Sequence, residues 1–407
     1  MFRCSKACFL LMCFTLATAV EVRSEDEKSG CLTCHDGIES IRQHGSQMME
    51  AILEMGEGRG DPSGCTVCHG GDPSSVEKDA AHGGSFYPDP GSPWINDKTC
   101  GTCHPNHVRV QHCSLMMTEA GKIQGTAWAF GSLTGYLHKW ANYAVSSSSA
   151  SRLGTEAYRT YMDRLASAEP NIFVDSHERL PDAPTDLSEL AENPELAAFT
   201  YLRNQCLRCH LGVKGRQERG DFRGMGCSAC HIPYSNEGLY EGDDPSIPKD
   251  EPGHFLVHTI QGTRDAKVKV HDIEYSGIPV ETCTTCHDRG KRIGVSFQGL
   301  MESAYSSPFD EDGQGQPKLH TKRYIAMHEE IHYQKGMMCQ DCHTSIDVHG
   351  DGHLAASTLA AVEIECSDCH GTPQSYPWEL PLGYMDEIAE LPSESPARGT
   401  TKKLLPH

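Results

Sequence analysis

Cys283-Thr-Thr-Cys286-His287 is one of eight copies of a single pattern in this chain, two cysteines three positions apart with a histidine directly after them. The copies contain 16 of the 20 cysteines in the 407 residues. Numbered as motifs 1 to 8 in chain order, they are Cys31, Cys34 and His35; Cys65, Cys68 and His69; Cys100, Cys103 and His104; Cys206, Cys209 and His210; Cys227, Cys230 and His231; Cys283, Cys286 and His287; Cys339, Cys342 and His343; and Cys366, Cys369 and His370. A Cys-x-x-Cys pair alone could belong to a zinc site or a redox pair, whereas Cys-x-x-Cys-His is the signature of c-type haem attachment. The sequence therefore predicts eight covalently bound haem c groups, with iron held by the motif histidines.

The spacing within each motif suits the chemistry of haem attachment. Two thiols three positions apart can add to the two vinyl groups on one edge of a porphyrin, and the next residue then offers its imidazole to the iron. A zinc-ribbon array is the alternative, but zinc sites pair Cys-x-x-Cys units at short and regular spacing. Here the first cysteines of successive motifs are 21 to 106 residues apart. The irregular spacing favours haem.

The N-terminal segment is typical of a secretory signal peptide. Arg3 and Lys6 begin it, an apolar stretch covers residues 7–20, and Ala17-Thr-Ala19 offers a cleavage site. We predict a signal peptide over residues 1–19, with cleavage no later than residue 24. An uncleaved anchor is the alternative, although the apolar stretch is short for a membrane span. The sequence therefore predicts a periplasmic or extracellular protein with no transmembrane span in the mature chain.

The overall composition limits the partners of the chain. The net charge is −21, which argues against nucleic acid as a partner and favours other redox proteins with basic surfaces. Hydrophobic residues make up 38% of the chain and aromatic residues 7%, so the side-chain core is thin and the haem discs are expected to replace much of it. Outside the motifs and the signal peptide one cysteine remains, Cys113, as a free thiol or an intermolecular partner. The oligomeric state stays open.

The motifs divide the chain into regions. Residues 25–114 are predicted to form a haem domain with haems 1–3, residues 115–202 a haem-free helical subdomain, residues 203–385 a haem domain with haems 4–8, and residues 386–407 a polar tail. The predicted fold class is mainly α with extensive loop and little β, a multihaem cytochrome c architecture organised around packed haems.

Hydrophobic periodicity predicts several helices and one strand within these regions. Helices are predicted in residues 115–145, 155–168 and 186–202, the last despite Pro194, which is unfavourable inside a helix. A further helix is predicted over Arg323–His332. Alternating apolar residues from Val268 to Ile273 indicate a brief strand.

Histidines outside the motifs are the candidate second ligands of the irons. Fifteen of the 23 histidines lie outside, enough for mostly bis-histidine ligation. Three candidate pairs have i,i+4 spacing, which on a helix would place both rings on one face. The candidates are His82, His107, His112, His254, His258, His328, His332, His349 and His353. Methionine is the alternative sixth ligand, although packing is the more usual role of this flexible side chain.

With eight motifs, the chain resembles the multihaem c-type cytochromes of anaerobic, respiring bacteria, in particular the octahaem group. That group includes hydroxylamine oxidoreductase, tetrathionate reductase and octahaem nitrite reductase. Gly226-Cys-Ser-Ala-Cys-His-Ile-Pro-Tyr234 and the segment Cys283–Gly294 are similar to segments of multihaem cytochromes of metal-reducing bacteria. The resemblance implies bound haem and redox activity in anaerobic respiration.

The chain departs from the enzymes of this group at their catalytic haems. It has no Cys-x-x-Cys-Lys motif and no widely split cysteine pair. Where hydroxylamine oxidoreductase uses a tyrosine cross-linked to haem, Tyr324 and Tyr333 are available, but nothing singles either out. Lys122 and Lys139 could take the place of the distal lysine of tetrathionate reductase. No residue is therefore identified as catalytic.

We expect a protein that transfers electrons along a chain of mostly bis-histidine haems. Its expected partners are other redox proteins or quinol-linked electron donors. The alternative is an oxidoreductase that reduces or oxidises a small inorganic nitrogen or sulfur compound at one haem with an open site.

Overall fold

A computed structural model of the chain describes residues 29–135, 138–262, 267–270, 273–289, 294–305 and 309–374. The predicted signal peptide and the predicted polar tail lie outside the described residues. Among the helices that are described, none combines the length and the apolar character that a membrane crossing requires.

The region of motifs 1 to 3 consists of short helices joined by loops rich in glycine and proline. Its helices are α1 Gly30–Cys34, α2 Gln47–Glu57, α3 Cys65–His69, α4 Lys78–Ala81 and α5 Pro105–Gln111, with a 3₁₀ turn at Cys100–Thr102. Helix α2 begins at Ser46, whose hydroxyl accepts a hydrogen bond from the Met49 backbone N–H at 3.3 Å. A Cβ at Gly56 of α2 would lie 2.6 Å from the Cα of Gly64, so only glycine lets α2 pack this closely against the start of α3. This contact positions motif 2.

The region between motifs 3 and 4 contains both helices and short strands. It comprises α6 Leu115–Thr118, α7 Ala120–Phe130, β1 Trp140–Ala141, β2 Val145–Ser146, α8 Glu156–Ala168, β3 Phe173–Val174, β4 Ser176–Arg179, α9 Leu187–Glu192 and α10 Ala197–Tyr201. Strand β4 lies between β1, which is parallel to it, and β2, which is antiparallel.

The three helix predictions for this region have different outcomes. The helix predicted over residues 155–168 is confirmed by α8. The helix predicted within residues 115–145 ends earlier, at Gly131, which adopts a left-handed conformation with φ 86°. The helix predicted over residues 186–202 is divided by a 3₁₀ turn at Pro194–Leu196, because proline offers no N–H to continue the α-helical hydrogen bonds.

The apolar core of this region extends onto motif 4. Its buried residues are Ile123, Ala127, Trp140, Leu180, Ala198, Phe199, Leu202 and Cys206. Trp140 and Phe199 meet edge to face with ring centroids 5.2 Å apart. Since Cys206 is the first cysteine of motif 4, this core directly holds one predicted haem attachment site.

Residues 202–374 alternate loops with short elements. A π-helical turn at Leu202–Cys206 and a 3₁₀ turn at Leu207–Cys209 precede α11 Ser228–His231, β5 Lys267–Val270, β6 Ile273–Ser276, α12 Val280–Thr284, β7 Leu300–Ser303, β8 Arg323–Ala326, α13 Ile331–Gln334, α14 Cys339–Cys342, α15 Ser345–His349, β9 Leu354–Ala355, α16 Thr358–Ala361 and α17 Cys366–His370. The brief strand predicted between Val268 and Ile273 is confirmed in part: β5 ends at Val270, and Ile273 begins a second strand, β6, that pairs antiparallel with it. Strand β9 pairs with β3 and so ties this region to the preceding one.

The helix predicted over Arg323–His332 is wrong. Residues 323–326 form β8, which pairs antiparallel with β7, and Arg323 lies opposite Ser303. Only residues from Ile331 onward are helical. Pairing with a strand some 20 residues earlier in the chain outweighs the local helical pattern, a usual outcome where tertiary contacts compete with propensity. The i,i+4 histidine pairs are therefore not carried on continuous helices: His254 and His258 lie in a loop, and α15 ends at His349.

Candidate haem-binding site

Most of the motifs share a local conformation, whereas in motif 4 the His210 N–H donates to the Leu207 carbonyl oxygen at 3.4 Å. In motifs 1, 3, 5, 6 and 7 the backbone N–H of the histidine donates to the carbonyl oxygen of the first cysteine, at 2.8–3.0 Å. One such turn places residues i and i+3 on the same side of the chain. The turn therefore presents both thiols of a motif to one side, as attachment to two vinyl groups requires.

Among the described residues, four motif histidines face a second imidazole from a distant part of the chain, and a fifth, His104, has the ring of His107 from three residues later at 6.0 Å. The ring centroids are 6.1 Å apart for His35 and His82, 5.9 Å for His69 and His258, 6.1 Å for His231 and His349, and 5.6 Å for His370 and His332. A metal–imidazole bond is about 2 Å long, so two imidazoles on one metal have centroids about 6 Å apart. These residues therefore fit a haem iron between them, and all four second histidines were among the sequence candidates.

Hydrogen bonds at Nδ1 fix the orientation of these rings. His35 Nδ1 lies 2.6 Å from the buried carboxylate of Asp244, and His332 Nδ1 lies 2.8 Å from Glu330. Backbone carbonyl oxygens take this role for the other rings: His69 with Tyr87, His231 with Gln261, His258 with Glu39 and His349 with Ser345, at 2.6–2.9 Å. Such contacts are typical of metal-binding histidines, because they leave Nε2 free for the metal.

Burial keeps several of these rings neutral. Desolvation, with a smaller contribution from the nearby His258, lowers the pKa of His69 to about 4. Burial is also the main cause of the lowered pKa values of His231, His258 and His349. Neutral imidazole is the form that binds a metal, so the protein environment favours ligation.

The other candidate histidines have different surroundings. His107 lies near two ligand candidates, with ring centroids 6.0 Å from His104 and 4.8 Å from His349. The Nε2 atoms of His254 and His353 are buried and have no hydrogen-bond partner within the described part of the chain. This is expected of metal-binding nitrogen atoms. Two candidates contact other groups: the His112 ring packs edge-on against Tyr143, and Nδ1 of the exposed His328 lies 2.9 Å from the Glu329 carbonyl oxygen and 3.1 Å from Gln334 Nε2.

Residues 202–379 match the family model described as outer membrane cytochrome MtrC/MtrF-like, domains II/IV. The match supports a multihaem c-type cytochrome. It covers less than half of the chain and contains motifs 4 to 8. No curated protein and no solved structure matches the chain. The multihaem class predicted from the motifs is thus supported, while the narrower octahaem group stays a prediction.

Different motifs of the cytochrome lie side by side. Four pairs of cysteines from different motifs lie close enough to change each other's pKa: Cys31 with Cys65, Cys100 with Cys227, Cys209 with Cys286, and Cys283 with Cys339. Three further pairs interact electrostatically: Cys68 with Cys100, Cys230 with Cys283, and Cys342 with Cys369. The motifs therefore follow one another in space in the order 1, 2, 3, 5, 6, 7 and 8, and motif 4 joins this series at motif 6.

A buried ion-pair network beside motifs 4 and 6 was missed by sequence reasoning. Asp288 follows His287 of motif 6 directly and is fully buried; its carboxylate accepts hydrogen bonds from Lys322 at 2.9 Å and from Arg208 of motif 4 at 3.4 Å. His320 Nδ1 lies 3.4 Å from Asp221, which also pairs with Arg216. Asp221, Asp288 and His320 lie close enough together to hold a cation, but neighbouring basic side chains already balance the carboxylates. The residues of this network are far apart in sequence, so no local sequence pattern predicts their contacts.

Proposed function

We propose that this chain is an exported electron-transfer cytochrome that carries eight haems, most of them bis-histidine ligated, in anaerobic respiration. The observation that carries the proposal is the set of four motif histidines that each face a second imidazole at 5.6–6.1 Å. When bound, each haem supplies a one-electron ferric/ferrous couple. Two imidazoles of the chain would hold the iron at each such site, which would exclude substrates from the iron and favour electron transfer over chemistry.

The close succession of motifs supports electron transfer through the length of the protein. Cysteine contacts link each motif to at least one other, so the haems they hold are neighbours. We propose that motifs 1 and 8 form the two ends of the series. The proposed architecture is mainly helical and loop-rich around packed haems.

The proposed location is outside the cytoplasm, in the periplasm or at the outer face of the cell. The matched family is described by its name as an outer membrane cytochrome, and the predicted signal peptide agrees with export. The net charge of −21 favours redox partners with basic surfaces, which would be steered to this protein at low ionic strength.

Haem counting tests the proposal directly. A pyridine haemochrome assay with the intact mass should give eight haems per mature chain, and replacement of Cys283 and Cys286 by alanine should remove one. In the oxidised protein, electron paramagnetic resonance should show mostly low-spin haem. A native count of seven or fewer in fully matured protein would refute the octahaem proposal.

A second candidate function, an oxidoreductase for a small nitrogen or sulfur compound, is favoured by the surroundings of motif 4. The ring that packs against His210 is Tyr143, with centroids 5.8 Å apart. Glu119 is buried and has a left-handed backbone with φ 50°, strain that often marks functional sites. It pairs at 2.8 Å with Lys122, which interacts electrostatically with Cys206 and Cys209.

Spectroscopy and a substrate assay distinguish the two functions. An enzyme would show a high-spin ferric signal in the native protein, and nitrite, hydroxylamine or tetrathionate would oxidise its reduced form. The Glu119→Gln variant would slow that oxidation. An electron carrier would show neither the signal nor the oxidation.

A further inference from the structure

Arg223 is a buried cation that pairs with neutral groups. It is only 5% exposed, and its guanidinium donates to the backbone carbonyl oxygens of Arg208 at 3.3 Å, His210 at 3.2 Å and Gly224 at 3.2 Å. In the described part of the chain, no carboxylate forms an ion pair with it. The neighbouring Arg208 and Arg216 differ, because each pairs with an aspartate.

The position of Arg223 is the junction of three motifs. Two of its carbonyl partners belong to motif 4, and its charge acts on Cys230 of motif 5 and on Cys286 of motif 6. A small cavity beside it is lined by Cys209 and by Thr285 from within motif 6. The same junction is the point where motif 4 joins the spatial series of motifs.

A buried cation whose direct partners are neutral carbonyl groups acts strongly on its neighbours. Removing a cation from water costs several kcal/mol, and carbonyl dipoles offset only part of this cost. The same low dielectric that makes the charge unfavourable strengthens its attraction for any nearby negative charge. Reduction of a haem adds one negative charge, so a cation at this place favours the reduced state of the haems around it.

We propose that the buried charge of Arg223 raises the reduction potentials of the haems at motifs 4, 5 and 6, so that they are the most readily reduced in the protein. This inference rests on the proposed electron-transfer function. Under this inference, electrons collect where motif 4 joins the series at motif 6, rather than at motif 1 or motif 8. In this proposal Arg223 acts on the haems through its charge and is not an iron ligand.

The test separates the effect of the Arg223 charge on the reduction potentials from the effect of its packing. Arg223→Gln removes the charge and keeps amide donors for the carbonyl oxygens, whereas Arg223→Lys keeps the charge. The matched control is Arg219→Gln, which removes an exposed arginine that pairs with Glu237 on the surface. Each variant is checked by haem count and then titrated spectroelectrochemically, with the redox components resolved.

The expected result is a shift of the most positive components to lower potential in Arg223→Gln, with recovery in Arg223→Lys and no comparable shift in Arg219→Gln. Equal shifts in the glutamine and lysine variants would mean that packing is the cause, and would overturn the proposal. So would the absence of a shift. A native haem count well below the number of motifs would instead refute the proposed function, so the two failures are distinguishable.

A second measurement does not depend on the folding of an Arg223 variant. Removal of the haem at motif 8, by replacing Cys366 and Cys369 with alanine, should leave the most positive component of the titration in place. Loss of that component with motif 8 would place the most readily reduced haem at the end of the series and would overturn the inference.

Discussion

Replacement of His332 by alanine should open one coordination position, at the haem of motif 8. The Nε2 atoms of His332 and His370 point at each other at 3.4 Å, and their ring centroids lie 5.6 Å apart. Alanine ends at Cβ and cannot span this gap. The haem held by His370 should therefore become high-spin, while the other haems keep their low-spin signals. The matched control is His328→Ala, four residues earlier, because the exposed His328 ring bonds to Gln334.

The size of the effect follows from the surroundings of His332. Its side chain is 39% exposed, so carbon monoxide can reach the vacated position. The ferrous variant should bind about one carbon monoxide per chain more than the native protein. The variant also loses the contact between His332 Nδ1 and Glu330, and a hydrogen bond contributes only about 0.5–1.5 kcal/mol to stability. Loss of ligation should thus appear without general unfolding.

The assay is carbon monoxide difference spectroscopy on the reduced protein, with electron paramagnetic resonance of the oxidised protein. Added imidazole should restore the low-spin state of the His332 variant. The axial ligand is a main determinant of haem potential, so one component of the redox titration should move as well. Native spectra in the His332 variant, or equal changes in both variants, would refute the assignment of His332 as the distal ligand.

Three further predictions concern stability. Thr155→Ala should lower the free energy of unfolding by about 1 kcal/mol, because the Thr155 hydroxyl caps α8 at the Tyr158 N–H, while Thr160→Ala in the exposed helix interior should not; thermal denaturation would show the difference. Leu202→Ala should cost about 2–5 kcal/mol, since Leu202 is fully buried, and a loss no larger than that of the exposed Leu187→Ala would contradict the core described above. Burial lowers the pKa of His177 in β4 below its usual value of 6.5, so the unfolded chain binds more protons just below pH 6.5, and stability should fall as the pH drops below 6.5. Guanidinium titrations at pH 7 and pH 5 would measure this, and a flat profile would argue against the buried neutral imidazole.

Local signals predicted the local parts of the fold. Helix α8 follows from helical periodicity and a threonine cap, and strand β5 follows from alternation. The helix expected over Arg323–His332 failed because β7, a distant segment, offers backbone partners that periodicity cannot reveal. Proline at 194 divided another expected helix through a local effect that the sequence did contain.

In the candidate site, too, the sequence predicts some parts and not others. The motif cysteines and histidines are contiguous, so the pattern alone identifies them. The second histidines were among the sequence candidates, but their pairing could not be predicted, because His69 and His258 come from opposite halves of the chain. Arg223 carried no signal either: a buried arginine looks like any other charge in a chain with 35 lysines and arginines.

The burial of Cys206 constrains the order of events during biogenesis. This thiol is 8% exposed and belongs to the same apolar cluster as Ile123 and Phe199. An enzyme that joins haem to the thiol needs access to it, and that access closes once α7 and α10 have packed together. The proposed attachment of haem at motif 4 therefore requires haem to reach the motif before the apolar cluster forms. If the chain folded first, Cys206 would be buried without haem. Haem attachment at this site therefore competes kinetically with folding.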